Sequence, residues 1–197
     1  MTHLPVNIDD PIVTAFFDRL HGIFADMDRQ YAEAAKHYGF HCSGCEDNCC
    51  RTRFFHHTYL EFLYIHAGLN TLDLPRRQEI QSRAAWVCRE TAKAVQKERP
   101  VRLMCPLNSD GLCMLYAYRP MICRLHGISH ELRKPGQNVI HGSGCGMFDR
   151  RCSNQSYHKF DRTPFYFKMA RVEGEFKQAI GLSDRFKMTI AEMIMAE

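Results

Sequence analysis

A mainly α fold, with helices packed around an irregular cysteine-rich core and one short β-hairpin, is what the sequence predicts. Two observations predict it. Apolar residues recur at helical spacing towards both ends of the chain, and the periodicity disappears from Arg102 to Arg151, where Pro106, Gly111, Pro120, Gly127, Gly136, Gly142, Gly144 and Gly146 punctuate the chain. Eight of the ten cysteines fall outside the periodic stretches.

The first helix opens at Asp9-Asp10-Pro11, an acidic cap followed by proline in the first turn. It carries Val13, Phe16, Leu20, Ile23, Phe24, Met27 and Tyr31 on one face and ends near Gly39. A second is predicted from Thr58 to Ala67, broken by Gly68 and Asn70. The third starts at Pro75 and sets Ile80, Ala84, Val87, Cys88, Thr91, Ala94 and Val95 on one face, stopping before Pro100; Cys88 reads as a core thiol. Gly127 to Leu132 and Asn138 to Gly142 are predicted to pair across the turn residues Pro135-Gly136. Thr163-Pro164 opens a fourth helix ended by Gly181, and Ser183 is expected to cap a fifth carrying Phe186, Ile190, Met193 and Ile194.

Composition narrows the function classes. The 197 residues are 45% hydrophobic and 24% charged, which suits one globular domain spanning 1–197. No apolar run approaches the roughly 20 residues of a membrane span, and MTHLPVNIDDP has no secretory pattern, so a cytoplasmic protein with no membrane association is expected. The formal charge of +4 divides into −5 over residues 1–50 (8 acids, 3 bases) and +9 over the rest (14 acids, 23 bases). Four thiolates on one Zn²⁺ contribute −2, so two such sites bring the total to zero, and the charge makes no case for a nucleic acid partner. A protein partner is compatible with apolar residues on the terminal helices; the oligomeric state is open.

The cysteines carry the chemistry. Cys42-Ser-Gly-Cys45-Glu-Asp-Asn-Cys49-Cys50 precedes the second helix, and Cys105-Pro106, Cys113, Cys123-Arg124 and Cys145 follow the third. Tetrathiolate sites use short Cys turns for two ligands and a distant segment for the rest, and thiols of a reducing compartment are metal or redox groups more often than disulfides. A metal held by Cys42, Cys45, Cys49, Cys50, Cys105, Cys113, Cys123 and Cys145, or by four of them, would staple the loop after the first helix to the loop after the third. Residues from about 40 to 152 are thus the metal-binding core. Eight thiols allow two sites, or one with spare or bridging thiols, and adjacent Cys49 and Cys50 are expected to serve different functions. Zinc and iron–sulfur clusters share tetrahedral thiolate ligation, so both Zn²⁺ and an Fe–S cluster stay open. An apolar flank of Phe40, Phe54, Phe55, Met104, Leu112 and Met121 leans towards a cluster.

Cys-x-x-Cys followed by Cys-Cys, a later Cys-Pro-Leu, the run Gly111-Leu112-Cys113-x-x-Tyr116-x-x-Arg119-Pro120-x-x-Cys123-Arg124 and a last Cys145 together resemble the YkgJ-like cysteine-cluster family, described as a zinc- or iron-chelating domain. The resemblance spans Cys42 to Cys145, with three residues between Cys45 and Cys49 where the family usually has two. It implies metal chelation. A flagellin lysine N-methylase is similar in its cysteine pattern, which brings in redox or group transfer at the metal centre as the competing enzymatic reading. The sequence holds no recognisable methyl-donor pocket.

Other residues have plainer readings. A thioredoxin-like dithiol at Cys42 and Cys45 lacks the strand that should precede it. His126 is a secondary ligand candidate, with His41, His130 and His141 behind it, while His56-His57, His66 and His158 read as surface or hydrogen-bonding residues. Arg119 and Arg124 are expected to donate to a sulfur or a backbone carbonyl, with Tyr116 beside Arg119 on one turn, and Cys152 is placed at the surface.

Overall fold

The computed structural model describes residues 6–41 and 49–196, and at Cys49 the backbone alone. Its helices are α1 Pro11–His37, α2 Tyr59–Asn70, α3 Leu74–Gln96, α4 Met121–Leu125, α5 Gly146–Cys152, α6 Thr163–Ala179 and α7 Ile190–Met195. Two antiparallel hairpins, β1 Asn108–Ser109 with β2 Leu112–Cys113 and β3 His130–Arg133 with β4 Val139–Gly142, interrupt them. The chain is therefore mainly helical. None of the helices among the described residues is long and apolar enough to cross a membrane.

Helix α2 organises the packing. Nine of its twelve residues are buried, on every side of the helix, so it lies inside the molecule and other elements enclose it. Helices α1, α6 and α7 pack against it, α1 also packs against α6 and α4, and α3 packs against α7. The enclosed core includes Leu20, Met27, Leu60, Ile65, Phe165, Phe176 and Ile194.

The caps follow the sequence where local chemistry dominates. Asp10 accepts from the Ile12 N–H at 2.8 Å, and Gly39 takes φ +56° just beyond α1. The β3–β4 register pairs His130 with Gly142 and Arg133 with Val139. Gln137 N–H donates to Lys134 O at 3.1 Å around Pro135 and Gly136, whose φ of +70° fits a type II turn.

Four expectations are corrected. Gly68 does not break α2: a Cβ there would lie 2.6 Å from Cγ of Tyr118, so the missing side chain admits that ring against the helix. On α3 only Ile80 and Ala84 are fully buried, and Val95 is 53% exposed, because α7 is too short to cover the C-terminal turns. Ser183 caps no helix. Residues 182–188 run non-helically so that Met188 can exchange backbone hydrogen bonds with His56 (2.7 and 3.1 Å), and α7 begins instead at a capping box of Thr189 and Glu192. Finally, the stretch from Arg102 to Arg151 holds α4, α5 and the β1–β2 hairpin, elements too short to show a period.

Glycines at two helical positions give opposite expectations. Gly68→Ala is expected to cost about 1–3 kcal/mol by overpacking against Tyr118. Gly22→Ala, on α1 with nothing within 4 Å of the added carbon, is expected to gain about 0.5–1 kcal/mol from helix propensity. Urea unfolding midpoints of the two variants check both signs.

Candidate functional site

Short local structures deliver four cysteines to one place. Cys50 is the middle residue of the 3-10 turn Cys49–Arg51, and its carbonyl accepts the Cys105 N–H at 2.9 Å, which ties the loop after α1 to the loop after α3. From Cys105 the chain turns at once, Asn108 N–H donating to Cys105 O at 3.0 Å, and enters β1. Asp110 (φ +51°) and Gly111 (φ +86°) then form the two-residue turn that returns β2, with Asn108 opposite Cys113. Two backbone amides face sulfur: Leu107 N–H bonds to the Cys105 side chain and Leu115 N–H to that of Cys113.

Cys123 arrives on α4, whose first amide, Met121 N–H, is capped at 2.7 Å by the buried carboxylate of Glu61. Glu61 takes a second hydrogen bond from Thr58 Oγ1 at 2.6 Å, so α2 positions α4 directly. Burial raises the Glu61 pKa, against the pull of these two donors.

Cys50, Cys105, Cys113 and Cys123 all line one cavity of about 490 Å³. Its walls include Val87, Val101, Leu103, Leu107, Leu115 and Ile190. Burial pushes the Cys105 thiol up to about 12, the Leu107 amide opposes this, and Cys50 and Cys113 push it further up. Cys123 is driven well up by burial and then by Cys105, Cys113 and Cys50. Cys113 is raised by burial and by Cys50, with the Leu115 amide and Arg119 opposing. Thiolates at Cys105, Cys113 and Cys123 would repel one another in a poorly solvated wall, so without a cation these three stay protonated.

The other expected ligands divide differently. Cys145 does not line this cavity; it stands at the N-terminus of α5, its N–H donating to Gly127 O at 3.0 Å, within electrostatic reach of Cys152. Cys42 and Cys45 lie outside the described residues, as does the Cys49 side chain. Among the described residues, no three His, Cys, Asp or Glu side chains form a group arranged to hold a metal ion. The thiols share a wall and a field, and they do not make a closed cage there.

Several neighbours differ from expectation. Cys152 is buried at 4% exposure, 3.9 Å from the Tyr38 carbonyl, because α5 turns that face inward, and it is not a surface thiol. Phe40 packs on Phe148 of α5 at 5.2 Å instead of lining the cavity, and Leu112 is 72% exposed. His126 does line the cavity, edge-on to Phe54 at 5.0 Å, whereas His130 (Nδ1 3.3 Å from Ile128 O) and His141 belong to the β3–β4 hairpin.

The arginines act through carbonyls, the second of their two expected modes. Arg124 is buried; it donates to Arg119 O at 2.7 Å, to Ala117 O, and to Asp28 of α1 at 2.5 Å, and it lies 4.3 Å from the centre of the Phe24 ring. Arg119 stacks on Tyr116 at 3.6 Å, donates to Tyr116 O at 3.1 Å, and depresses the Cys113 thiol through its charge. Two contributors escaped the sequence reading. The Asp110-Gly111 turn had an available signal, the dipeptide itself. His56, expected at the surface or in a side-chain hydrogen bond, is instead buried beside the cavity with its backbone paired to Met188, and nothing in the local sequence signals this.

No family model, curated protein or solved structure matches the chain.

Arg124→Leu is expected to destabilise by about 2–3 kcal/mol, measured as a shift in the urea midpoint, because the Arg119 carbonyl loses its donor while the Ala117 carbonyl keeps only Tyr64 OH at 3.3 Å and Asp28 only Arg119 at 3.9 Å. Burial holds His56 and His130 at about 4 and lowers His126 as well. The fold therefore prefers these rings neutral: the stability they contribute is fully present above about pH 6.5 and is lost as pH falls towards 4. Thermal unfolding at pH 7, 5.5 and 4.5 should show the fall, and His126→Phe should reduce it.

Proposed function

We propose that the protein is a metal-binding cysteine-cluster protein whose centre, an iron–sulfur cluster or zinc, is nucleated by Cys50, Cys105, Cys113 and Cys123. Cys42, Cys45 and Cys49, a few residues before Cys50, complete the ligand supply. The observation that carries this reading is that cysteines from three separate segments line one cavity. Two details support it. Amide N–H groups of Leu107 and Leu115 point at sulfur, an arrangement that favours thiolate over thiol. The mutual elevation of the thiol pKa values would be relieved by a cation bound among them. The resemblance to the YkgJ-like family rests on these same residues.

A bound zinc would close the fold, and a bound cluster would supply one-electron chemistry. The adjoining cavity favours redox or group transfer as a second reading, because a structural site is closed by its four ligands and has no use for neighbouring space.

Anaerobic purification followed by metal and sulfide analysis and an absorption spectrum tests the proposal. At least one equivalent of zinc or of iron with sulfide is expected. Cys113→Ser is expected to lose most of it and to lower Tm by roughly 10 °C or more, since metal binding contributes several kcal/mol to folding. Cys145→Ser should leave the content unchanged. Metal-free protein with a cooperative thermal transition would overturn the proposal.

A further inference from the structure

Four arginines line the cavity, Arg51, Arg53, Arg119 and Arg124, against a single acid, Asp28. That acid is taken up by Arg124 at 2.5 Å and Arg119 at 3.9 Å. Arg51 makes no ion pair or hydrogen bond among the described residues. Arg53 lies 4.8 Å from the centre of the Phe55 ring, and Lys187 Nζ lies 4.5 Å from the same ring, so two cations gather there without a carboxylate among the described residues. Arg51 and Arg53 are exposed as well as cavity-lining, which places them where the cavity meets solvent. Four guanidinium groups against one carboxylate leave the lining at +3 while its thiols are neutral. A divalent metal on four thiolates would contribute −2, so a net +1 persists beside an occupied metal centre.

We propose that the cavity binds a small organic carboxylate, its charged group held at the mouth by Arg51 and Arg53 and its apolar body inside among Leu107, Leu115 and Ile190. These three side chains line the cavity and are buried, so they lie deeper than the exposed arginines. At about 490 Å³ the space falls among the sizes typical of small-molecule pockets, and apolar cavities about a third as large hold benzene. A carboxylate suits a guanidinium because it accepts two parallel N–H bonds from the planar fork. An inorganic anion would meet the charge and leave the apolar lining wet, while a neutral apolar molecule would fill the space and leave the cations uncompensated. Burial lowers the pKa of His56 and His126, so the positive charge at neutral pH comes from the arginines.

The test compares naphthalene-2-carboxylate with naphthalene-2-carboxamide, which share a shape and differ in charge, in fluorescence titrations of the full-length protein near neutral pH. The wild type is expected to bind the carboxylate roughly fivefold more tightly at low salt, and the preference should shrink as salt rises because the arginines are exposed. Arg51→Gln combined with Arg53→Gln should bring the two affinities within about twofold of each other by weakening the carboxylate alone, with Tm and metal content unchanged. Arg150→Gln removes a charge that does not line the cavity and should keep the preference. Thr91→Trp fills the cavity from α3 and should weaken both probes by at least about tenfold. Equal affinity of the wild type for both probes, no saturable binding of either, or a carboxylate preference that survives in the double variant would each overturn the proposal. Loss of metal from the folded double variant would also overturn it, by assigning the two arginines to the metal centre. Metal analysis of the same samples reads that centre separately: metal-free protein that still prefers the carboxylate supports this inference while the metal reading fails.

Discussion

The enclosure of α2 is the constraint on which the rest of the structure depends. A helix buried on all sides cannot be satisfied by one neighbour, so α1, α6 and α7 must close around it. Burial also brings carboxylates inside, and each is put to use at a helix start. Glu173 of α6 accepts the Tyr59 and Leu60 amides at 2.8 and 3.2 Å, closing the N-terminus of α2, while Glu61 of α2 closes that of α4. Both groups are raised by burial, so their amide partners are what keep an ionised carboxylate tolerable there.

The site inherits its position from this arrangement. Glu61 and Arg124 hold α4 from opposite sides, one from α2 and the other from Asp28 of α1, and Cys123 lies between their attachment points. Cys105 and Cys113 are instead held by their own small hairpin, which the hydrogen bond from Cys105 N–H joins to Cys50. A rigid helix and a tight turn thus present thiols to a common cavity. Thiols and apolar residues of α3 and α7 line that one cavity together.

The helices that could be read in advance were those with room for a period. Val13, Leu20, Phe24 and Met27 mark α1 as an amphipathic helix without reference to any partner, and the caps at Asp10 and Gly39 are local chemistry. The β3–β4 hairpin was legible for the same reason, because Pro135-Gly136 specifies its turn. Helices α4 and α5, of five and seven residues, offer at most two turns, and no spacing argument reaches them. Residues 182–188 were misread because Phe186 falls in step with Ile190 and Met193, yet the backbone there is claimed by the bridge to His56.

The sequence by itself determined that the cysteines are grouped in the aperiodic parts, with amides and turns near enough in the chain to shape each pair. That much is local, since Cys105 and Cys113 are joined by a turn that Asp110-Gly111 can form alone. Only the tertiary structure decided which cysteines share a wall. Cys145 reads in sequence as one of the same ligand set as the thiols of the cavity, but it caps α5, and the packing of Phe148 on Tyr38 and Phe40 places that helix elsewhere. His56 became a cavity residue through a backbone pairing with Met188, 132 positions away (188 minus 56). Long-range contacts of this kind depend on what the whole core encloses, and no stretch of local sequence encodes them.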